Sequence, residues 1–441
     1  MLETIVAQLE ALLGTESVLG WTDLESPLQA ALRNVADRSQ LATVVFPNTI
    51  EQLAEVVTWA AGERHALLPL GSGSKLGWGG TIPTSPATNA IIGVCLARLD
   101  RLVEHAVGDL TLTAEAGIPI AALKKTLLPI HQQLGIDPAF SDRATLGGVV
   151  ATGDQGSLRQ GYGSIRDRIL GVTFVRSDGQ VVRAGGRVVK NVAGYDLMKL
   201  VSGAYGTLGI VAQMTVRLYP LPETSKTLIV PGDLEPLTAI VRRMRASSLS
   251  PAKFDWISPA CVDAVLNEST HSAAIALQFA NIPASVEQQV ELVTAFAKEE
   301  GLHAISINDE TAVWQGLQTV LGRHQAIQSD ETVGCKFGLV PAKSASVLNA
   351  LEPSVFAQIH AGSGIGWVHF ATLPSDDILL SLRDLCQQQC GYFTVLQAPK
   401  SLKNRLDIWG YAEESLGLMR AIAHKFDPNR LFLPERLLPS R

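Results

Sequence analysis

No stretch of this chain reads as a cysteine framework, a membrane helix or a signal peptide, and charge of one sign does not dominate it. Five cysteines, Cys95, Cys261, Cys335, Cys386 and Cys390, are scattered over 441 residues. That spacing excludes a disulfide scaffold, and no run of them could hold an iron–sulfur cluster. Cys386 and Cys390 fall at i, i+4 on an expected helix and could share a metal. No further ligands accompany them, so buried thiols are expected and no metal site is assigned. No apolar run approaches the roughly 18 residues of a membrane helix. The start carries Glu3 and lacks the basic and apolar regions of a signal peptide, so the expected compartment is the cytoplasm. The net charge of −6 argues against nucleic acid or an anionic membrane as the main partner. At 46% apolar and 18% charged residues the chain is a folded protein, long enough for two or three domains. It has no internal repeat.

What the chain does have is glycine in loops. The apolar run Leu67-Leu68-Pro69-Leu70 reads as a buried strand and enters Gly71-Ser72-Gly73-Ser74-Lys75-Leu76. Glycine there lets the backbone approach a ligand closely, and N–H groups with Ser hydroxyls form a concavity that suits phosphate. The strand is the end of a strand–helix–strand unit. Thr43–Phe46 is β-branched and apolar, Thr49 with Gln52 forms a capping box, Leu53, Val56, Val57 and Ala60 mark a helix face, and Gly62 is expected to close it. Three more glycine-rich stretches follow: Thr145-Leu146-Gly147-Gly148 to Gly153, Gly161-Tyr162-Gly163-Ser164, and Gly203-Ala204-Tyr205-Gly206 to Ile210. Between them, Leu110–Glu115 and Ile210–Leu218 alternate as half-buried strands, Pro119 suits the start of a helix reaching about Leu128, and Asp178-Gly179 marks a hairpin. Pro220-Leu221-Pro222 is a boundary. Beyond it, Leu234–Arg245 and Val286–Lys298 read as helices and Ala273–Ala280 and Ala304–Ile307 as strands, an α+β pattern.

The first loop fails the two common nucleotide patterns. A Walker loop needs Gly-Lys-Ser/Thr after four residues, whereas Lys75 follows Ser74 and precedes Leu76. The Rossmann pattern needs a third glycine opening a helix, and Leu76 stands there. ATP and NAD are therefore not expected. Any one glycine stretch is explained by a tight turn, but four on one sheet-rich module suit a ligand as long as a dinucleotide.

In their order the loops resemble the FAD-binding half of the vanillyl-alcohol-oxidase/PCMH flavoprotein superfamily, over about Leu41 to Pro222. The nearest resemblance within it is to the FAD-binding E-type subunits of bacterial glycolate dehydrogenases. Gly71–Lys75, Gly163-Ser164-Ile165-Arg166-Asp167 and Val189-Lys190-Asn191-Val192-Ala193-Gly194-Tyr195-Asp196-Leu197 carry it. The resemblance implies an N-terminal helical segment (1–40), a two-subdomain PCMH-type FAD domain (41–222), an α+β, ferredoxin-like cap (223–400) and a C-terminal helical tail returning to the FAD domain (401–441). It implies that Leu70, Gly71, Ser72, Gly73, Ser74, Lys75 and Leu76 wrap the pyrophosphate, and that Thr145, Leu146, Gly147, Gly148 and Gly153 line the diphosphate and ribityl chain. Ser164, Lys190, Asn191 and Tyr195 would lie toward the redox end and Ile210 at the adenine. Residues 71–80 hold no His or Cys, so the FAD is expected to be non-covalent.

The resemblance also shows where this chain departs. D-2-hydroxy-acid dehydrogenases of the superfamily carry His-x-Gly-Asp-Gly-Asn-x-His, and here the matching stretch is His360-Ala361-Gly362-Ser363-Gly364-Ile365-Gly366-Trp367. One imidazole remains in the motif, with His369 two residues late, so His360 and His369 are the candidate bases and no metal is expected. The carboxylate-binding arginine that follows a helical Trp in those enzymes is absent after Trp314. Arg323 or Lys336 could replace it, although surface charge is the expected reading of both. With the flavin-holding half kept and the substrate half altered, the E-type resemblance implies an FAD-dependent oxidoreductase acting on CH–OH groups as a complex subunit. It would work with a catalytic D-type flavoprotein subunit and an iron–sulfur F-type subunit, with partners giving peripheral contact at the inner face of a membrane, and would oxidise glycolate and D-lactate. The alternatives are a self-sufficient dehydrogenase and a flavin-binding scaffold without turnover.

Overall fold

The computed structural model describes residues 2–36, 40–82, 90–186, 195–267, 272–324 and 331–439. Strand β1 (Val18–Leu19) pairs antiparallel with β2 (Leu41–Val45), and β2 and β3 (Ala66–Leu70) flank β4 (Ile91–Cys95) in parallel. The parallel pairing needs a crossover, which the helix Ile50–Glu63 supplies by burying Leu53, Val56, Val57 and Ala60. Thr49 Oγ1 accepts from Gln52 N, as its sequence position predicts. Gly62, expected to end this helix, lies inside it, and Arg64 takes the left-handed position instead, at φ 57°. The helix therefore runs one residue past Gly62 before the chain reverses.

The second sheet is antiparallel. Strand β5 (Leu102–Ala106) pairs with β6 (Thr111–Glu115), the two-residue β7 (Gln132–Gln133) stands apart, and β8 (Ile169–Val175) forms a hairpin with β9 (Val181–Gly185). Strand β10 (Ile210–Arg217) lies between β6 and β8, and β11 (Tyr219–Pro220) pairs with β7. One apolar core joins both sheets, with Val45, Leu67, Ile92 and Val94 in the same cluster as Leu112, Ala114, Phe174 and Val216.

The rest of the chain builds one eight-stranded antiparallel sheet. Its strands are β12 (Thr224–Gly232), β13 (Lys253–Ile257), β14 (Ala273–Asn281), β15 (Ile305–Ile307), β16 (Val333–Gly338), β17 (Phe356–His360), β18 (Ile365–Phe370) and β19 (Tyr392–Gln397), in the order β15-β12-β14-β13-β17-β18-β16-β19. Helices Leu234–Arg245, Pro283–Glu299 and Asp376–Gln388 pack against it. Cys386 is buried on the last of these, but Cys390 lies past its end, exposed and at φ 56°, so the two thiols do not share a helix face. The register sets Gln358, Trp367 and Lys336 side by side on three adjacent strands, with His360 paired to Asp255 in the next row. Cross-strand partners share a face, and this one is polar.

The C-terminal segment returns to the first module. Leu67 N donates to Leu431 O at 2.7 Å, and Asp427 accepts from Leu431 N and Phe432 N. No described helix is long and apolar enough to cross a membrane.

Candidate functional site

Two concavities lie one after the other. The first is an open groove lined by Leu70, Gly71, Thr145, Gly147, Gly148, Tyr205, Gly206, Gly209 and Ile210, among others. At two of its glycines a side chain does not fit. A Cβ on Gly71 would stand 2.3 Å from Thr145 Oγ1, and one on Gly147 would stand 2.7 Å from Ala116 Cβ. Thr145 caps the helix Leu146–Thr152, its Oγ1 accepting from Gly148 N at 3.2 Å. Beside the groove, the loop after β3 keeps donors in reserve. Ser72 Oγ is buried without a partner, and the N–H groups of Ser72, Gly73 and Ser74 find no acceptor among the described residues. Unspent backbone donors in a glycine loop suit an anionic phosphate.

The remaining loop residues do structural work. Gly73, at φ 75°, lies so close to Ala31 that a Cβ would clash at 2.8 Å. Leu76 is buried, and Lys75 turns its ammonium inward to Ala139 O at 2.8 Å and Asp154 at 3.6 Å. Burial pushes the Lys75 ammonium down to about 8, with Asp154 opposing. The loop's carbonyls are gathered by two buried cations from the C-terminal segment. Arg436 donates to Leu76 O, Trp78 O and Gly80 O, and Lys403 to Gly77 O and Gly79 O. No sequence pattern announces these two residues, because the pairing spans more than 320 positions.

Other expected contacts are placed differently. Leu146 is buried in the core, and Gly153 ends its helix at φ 57°. Ser164 caps a short helix and spends its hydroxyl on Asp167 Oδ2. Tyr195 is exposed, and Lys190 and Asn191 lie outside the described residues. His65 is buried against Trp59, and Cys95 Sγ lies 3.4 Å from Gly71 O, its thiol pushed up to about 11 by burial.

The helix Leu146–Thr152, about 10 Å long, leads from the groove to the second concavity. This is a small, partly open concavity lined by Gln155 and Gly156 from the first module, by Arg323, and by Lys336, Gln358, His360, Ile365, Gly366 and Trp367 of the large sheet. His360 is buried, and its Nδ1 lies 2.5 Å from Asp255 Oδ1. Asp255 is acceptor-only when ionised, so Nδ1 carries the proton and Nε2 is left as the acceptor. Gln358 Nε2 fixes the other Asp255 oxygen at 2.9 Å. His369 does not line the cavity. It stands opposite Gly334 and Phe356, its Nδ1 has no partner, and burial pushes it down to about 4. Among the described residues no cluster of three His, Cys, Asp or Glu side chains is arranged for a metal.

Arg323 corrects an expectation. It is 5% exposed rather than a surface charge, with Nη2 donating to Asp154 Oδ1 at 3.0 Å and its guanidinium 5.0 Å from the centre of the Trp367 ring. Lys336 is half-buried at the same cavity. The turn after the helix Glu310–Val320 swings Arg323 inward, which no local pattern reveals.

Residues 41–185 match the family model described as an FAD binding domain. The first module is an FAD-binding domain. The groove fits that cofactor, since it offers glycine walls and unspent N–H donors to an anionic, elongated ligand. The chain is 29% identical over 215 residues to the glycolate oxidase subunit GlcD of Bacillus subtilis (strain 168), covering 48% of this chain and 45% of that one. It is 35% identical over 179 residues to the glycolate oxidase subunit GlcE of Escherichia coli (strain K12), covering 40% and 49%. It is 25% identical over 427 residues to a D-2-hydroxyglutarate dehydrogenase of Xanthomonas citri, covering 89% and 88%. The matches to the two glycolate oxidase subunits thus span about half of those proteins. These names denote oxidoreductases of 2-hydroxy acids. Among solved structures, p-cresol methylhydroxylase with substrate bound shares the fold at TM-score 0.75 and 16% identity, over 98% of this chain and 96% of that one.

Packing of the FAD groove yields a direct test. Gly71→Ala forces Thr145 aside and should cut the bound flavin per protein by more than about tenfold, read as the flavin-to-protein absorbance ratio after gel filtration.

Proposed function

We propose that this chain oxidises a small 2-hydroxy acid to the 2-oxo acid in the cavity at the end of its FAD groove, as the FAD-binding subunit of a multi-subunit dehydrogenase. One observation supports the oxidation above all. The oriented His360–Asp255 pair stands in a buried cavity reached through the helix that borders the groove. Bound FAD supplies the two-electron acceptor. His360 Nε2 takes the hydroxyl proton, and Asp255, on the Nδ1 side, holds the ring in the tautomer that can take it. Gln358 lines the wall beside His360 with its Nε2 donated to Asp255 and Ser157, and Trp367 narrows the space. The likeness to two glycolate oxidase subunits supports a multi-subunit assembly, and the partners proposed for it are a second flavoprotein subunit and an iron–sulfur subunit.

The purified chain should release intact FAD on acid precipitation. Anaerobic glycolate or D-lactate should bleach its flavin absorbance without any partner. A flavin that stays oxidised with every 2-hydroxy acid until partner subunits are added would move the chemistry to those subunits and leave this chain a flavin-binding scaffold.

A further inference from the structure

We propose that Ser157 and Gln358 are positioning residues for His360, and that through Asp255 they set, from the FAD-binding module, which ring nitrogen carries the proton. As a contribution to catalysis this rests on the oxidation proposed above, but the state of the imidazole is measured without turnover.

Four buried side chains form one unbranched run. Ser157 Oγ accepts from Gln358 Nε2 at 3.0 Å, the same nitrogen donates to Asp255 Oδ2 at 2.9 Å, and Asp255 Oδ1 lies 2.5 Å from His360 Nδ1. Ser157 and Asp255 are fully buried and Gln358 is 3% exposed, so bulk water does not replace a lost partner. An amide nitrogen has two hydrogens, and here both are spent, one on each neighbour. A turned-over amide would set its carbonyl oxygen against the Asp255 carboxylate, so Asp255 fixes which way Gln358 faces. Gln358 fixes Asp255 in return. With a donor on each oxygen the carboxylate resists rotation and keeps Oδ1 on Nδ1. Without Gln358 the carboxylate turns and the Nδ1 proton loses its acceptor. The imidazole is then free to carry that proton on Nε2, where it blocks the base.

The run crosses from one module to the other. Gln358 and His360 lie two residues apart on β17, and Asp255 on β13 stands opposite His360. The large sheet alone therefore brings three members together. Ser157 comes from the first module, 201 positions from Gln358. It stands just ahead of the helix Arg159–Tyr162, whose start takes no side-chain cap. A serine near a helix start ordinarily spends its hydroxyl on a backbone N–H. Among the described residues, Ser157 Oγ bonds Gln358 instead and nothing else. The backbone around it is held in place. Asp137 Oδ1 accepts from Leu158 N at 3.1 Å, and Gly161 N donates to Ala252 O at 3.1 Å, just before β13. The same stretch follows the helix Leu146–Thr152 that borders the FAD groove. A serine that only fills space could become alanine with no effect on His360, and there the two roles part.

The test reads the His360 ring by nitrogen NMR of the FAD-loaded chain carrying isotope-labelled histidine, at mildly alkaline pH. The spectrum of His360→Gln assigns the signals. The unsubstituted chain should show Nδ1 protonated and Nε2 bare. Gln358→Met, which fills the volume and returns no donor, should move the ring toward the form protonated on Nε2, and Ser157→Ala should move it part of the way. His360 signals that stay put in both variants, or in Ser157→Ala alone, would overturn the proposal. In stopped-flow, Gln358→Met should slow flavin reduction by glycolate about tenfold to a hundredfold, the size of one hydrogen bond to a charged group. Ser157→Ala should slow it about threefold to tenfold, the size of a neutral one, and both should keep their flavin. Because Ser157 acts only through Gln358, the double variant should match Gln358→Met, and losses that multiply would show that the serine acts elsewhere. If Gln358→Met does not hold its flavin, Gln358→Asn, whose amide is one methylene short of Asp255, takes its place. A chain whose flavin no 2-hydroxy acid reduces, but whose His360 ring follows both variants, refutes the oxidation and keeps the positioning. A chain that glycolate reduces, but whose His360 ring moves in neither variant, does the reverse.

Discussion

His360→Gln should slow flavin reduction by a 2-hydroxy acid about 10²- to 10⁴-fold, the usual contribution of a positioned base, while leaving the bound flavin unchanged. His360 lines the second concavity and not the FAD groove, so cofactor loading should hold. The glutamine amide can still donate to Asp255, which avoids leaving a buried carboxylate unpaired. Asp255→Asn should act on the same step, because the asparagine can offer its N–H to Nδ1 and so favour the tautomer with the proton on Nε2. Since the two residues work as one unit, the double variant should be little slower than the slower single one. Anaerobic stopped-flow reduction of the FAD-loaded chain measures all three. Additive losses would show that Asp255 does not act through His360.

Arg436→Met should lower the stability of the chain by roughly 3–5 kcal/mol and release FAD. The guanidinium is 5% exposed and donates to three loop carbonyls, Leu76 O, Trp78 O and Gly80 O. Methionine fills much of the volume but returns no donor, so three buried acceptors lose their partner. Burial holds the Arg436 guanidinium down to about 10, so its charge is held at a cost that the carbonyls offset. The loop packs closely on this segment, since a Cβ at Gly79 or Gly80 would stand 2.7 Å from Arg436 O or 2.4 Å from Glu435 O. The melting temperature and flavin content check this together. A variant that melts normally yet keeps its flavin would show that the C-terminal contact is dispensable.

The FAD-binding module was largely legible because its signals are local. The alternation in Thr111–Glu115 and Ile210–Arg217 is a two-residue period, and the crossover helix shows its face in Leu53, Val56, Val57 and Ala60. Glycine in the loops marks close approach, and Gly71, Gly147 and Gly148 all line the groove. Local signals mislead where a competing conformation wins, as at Arg64, which reverses the chain two residues past Gly62. The large sheet was readable as strands and helices but not as a site. Lys253, Asp255, Gln358 and His360 alternate with apolar neighbours, yet nothing local says that their polar face is buried.

By itself the sequence determined that this chain holds a nucleotide in glycine loops that fit neither the Walker nor the Rossmann pattern, because backbone approach requires glycine at fixed places along one strand–loop unit. It also determined that the acid, the amide and the second histidine are missing from the stretch after His360. Only the tertiary structure decided what stands in their place. Asp255 reaches His360 through strand pairing across 105 positions, and Arg323 reaches Asp154 across 169. Contacts of that span depend on sheet register and on how two modules close over a cavity, and they leave no periodic trace in the chain.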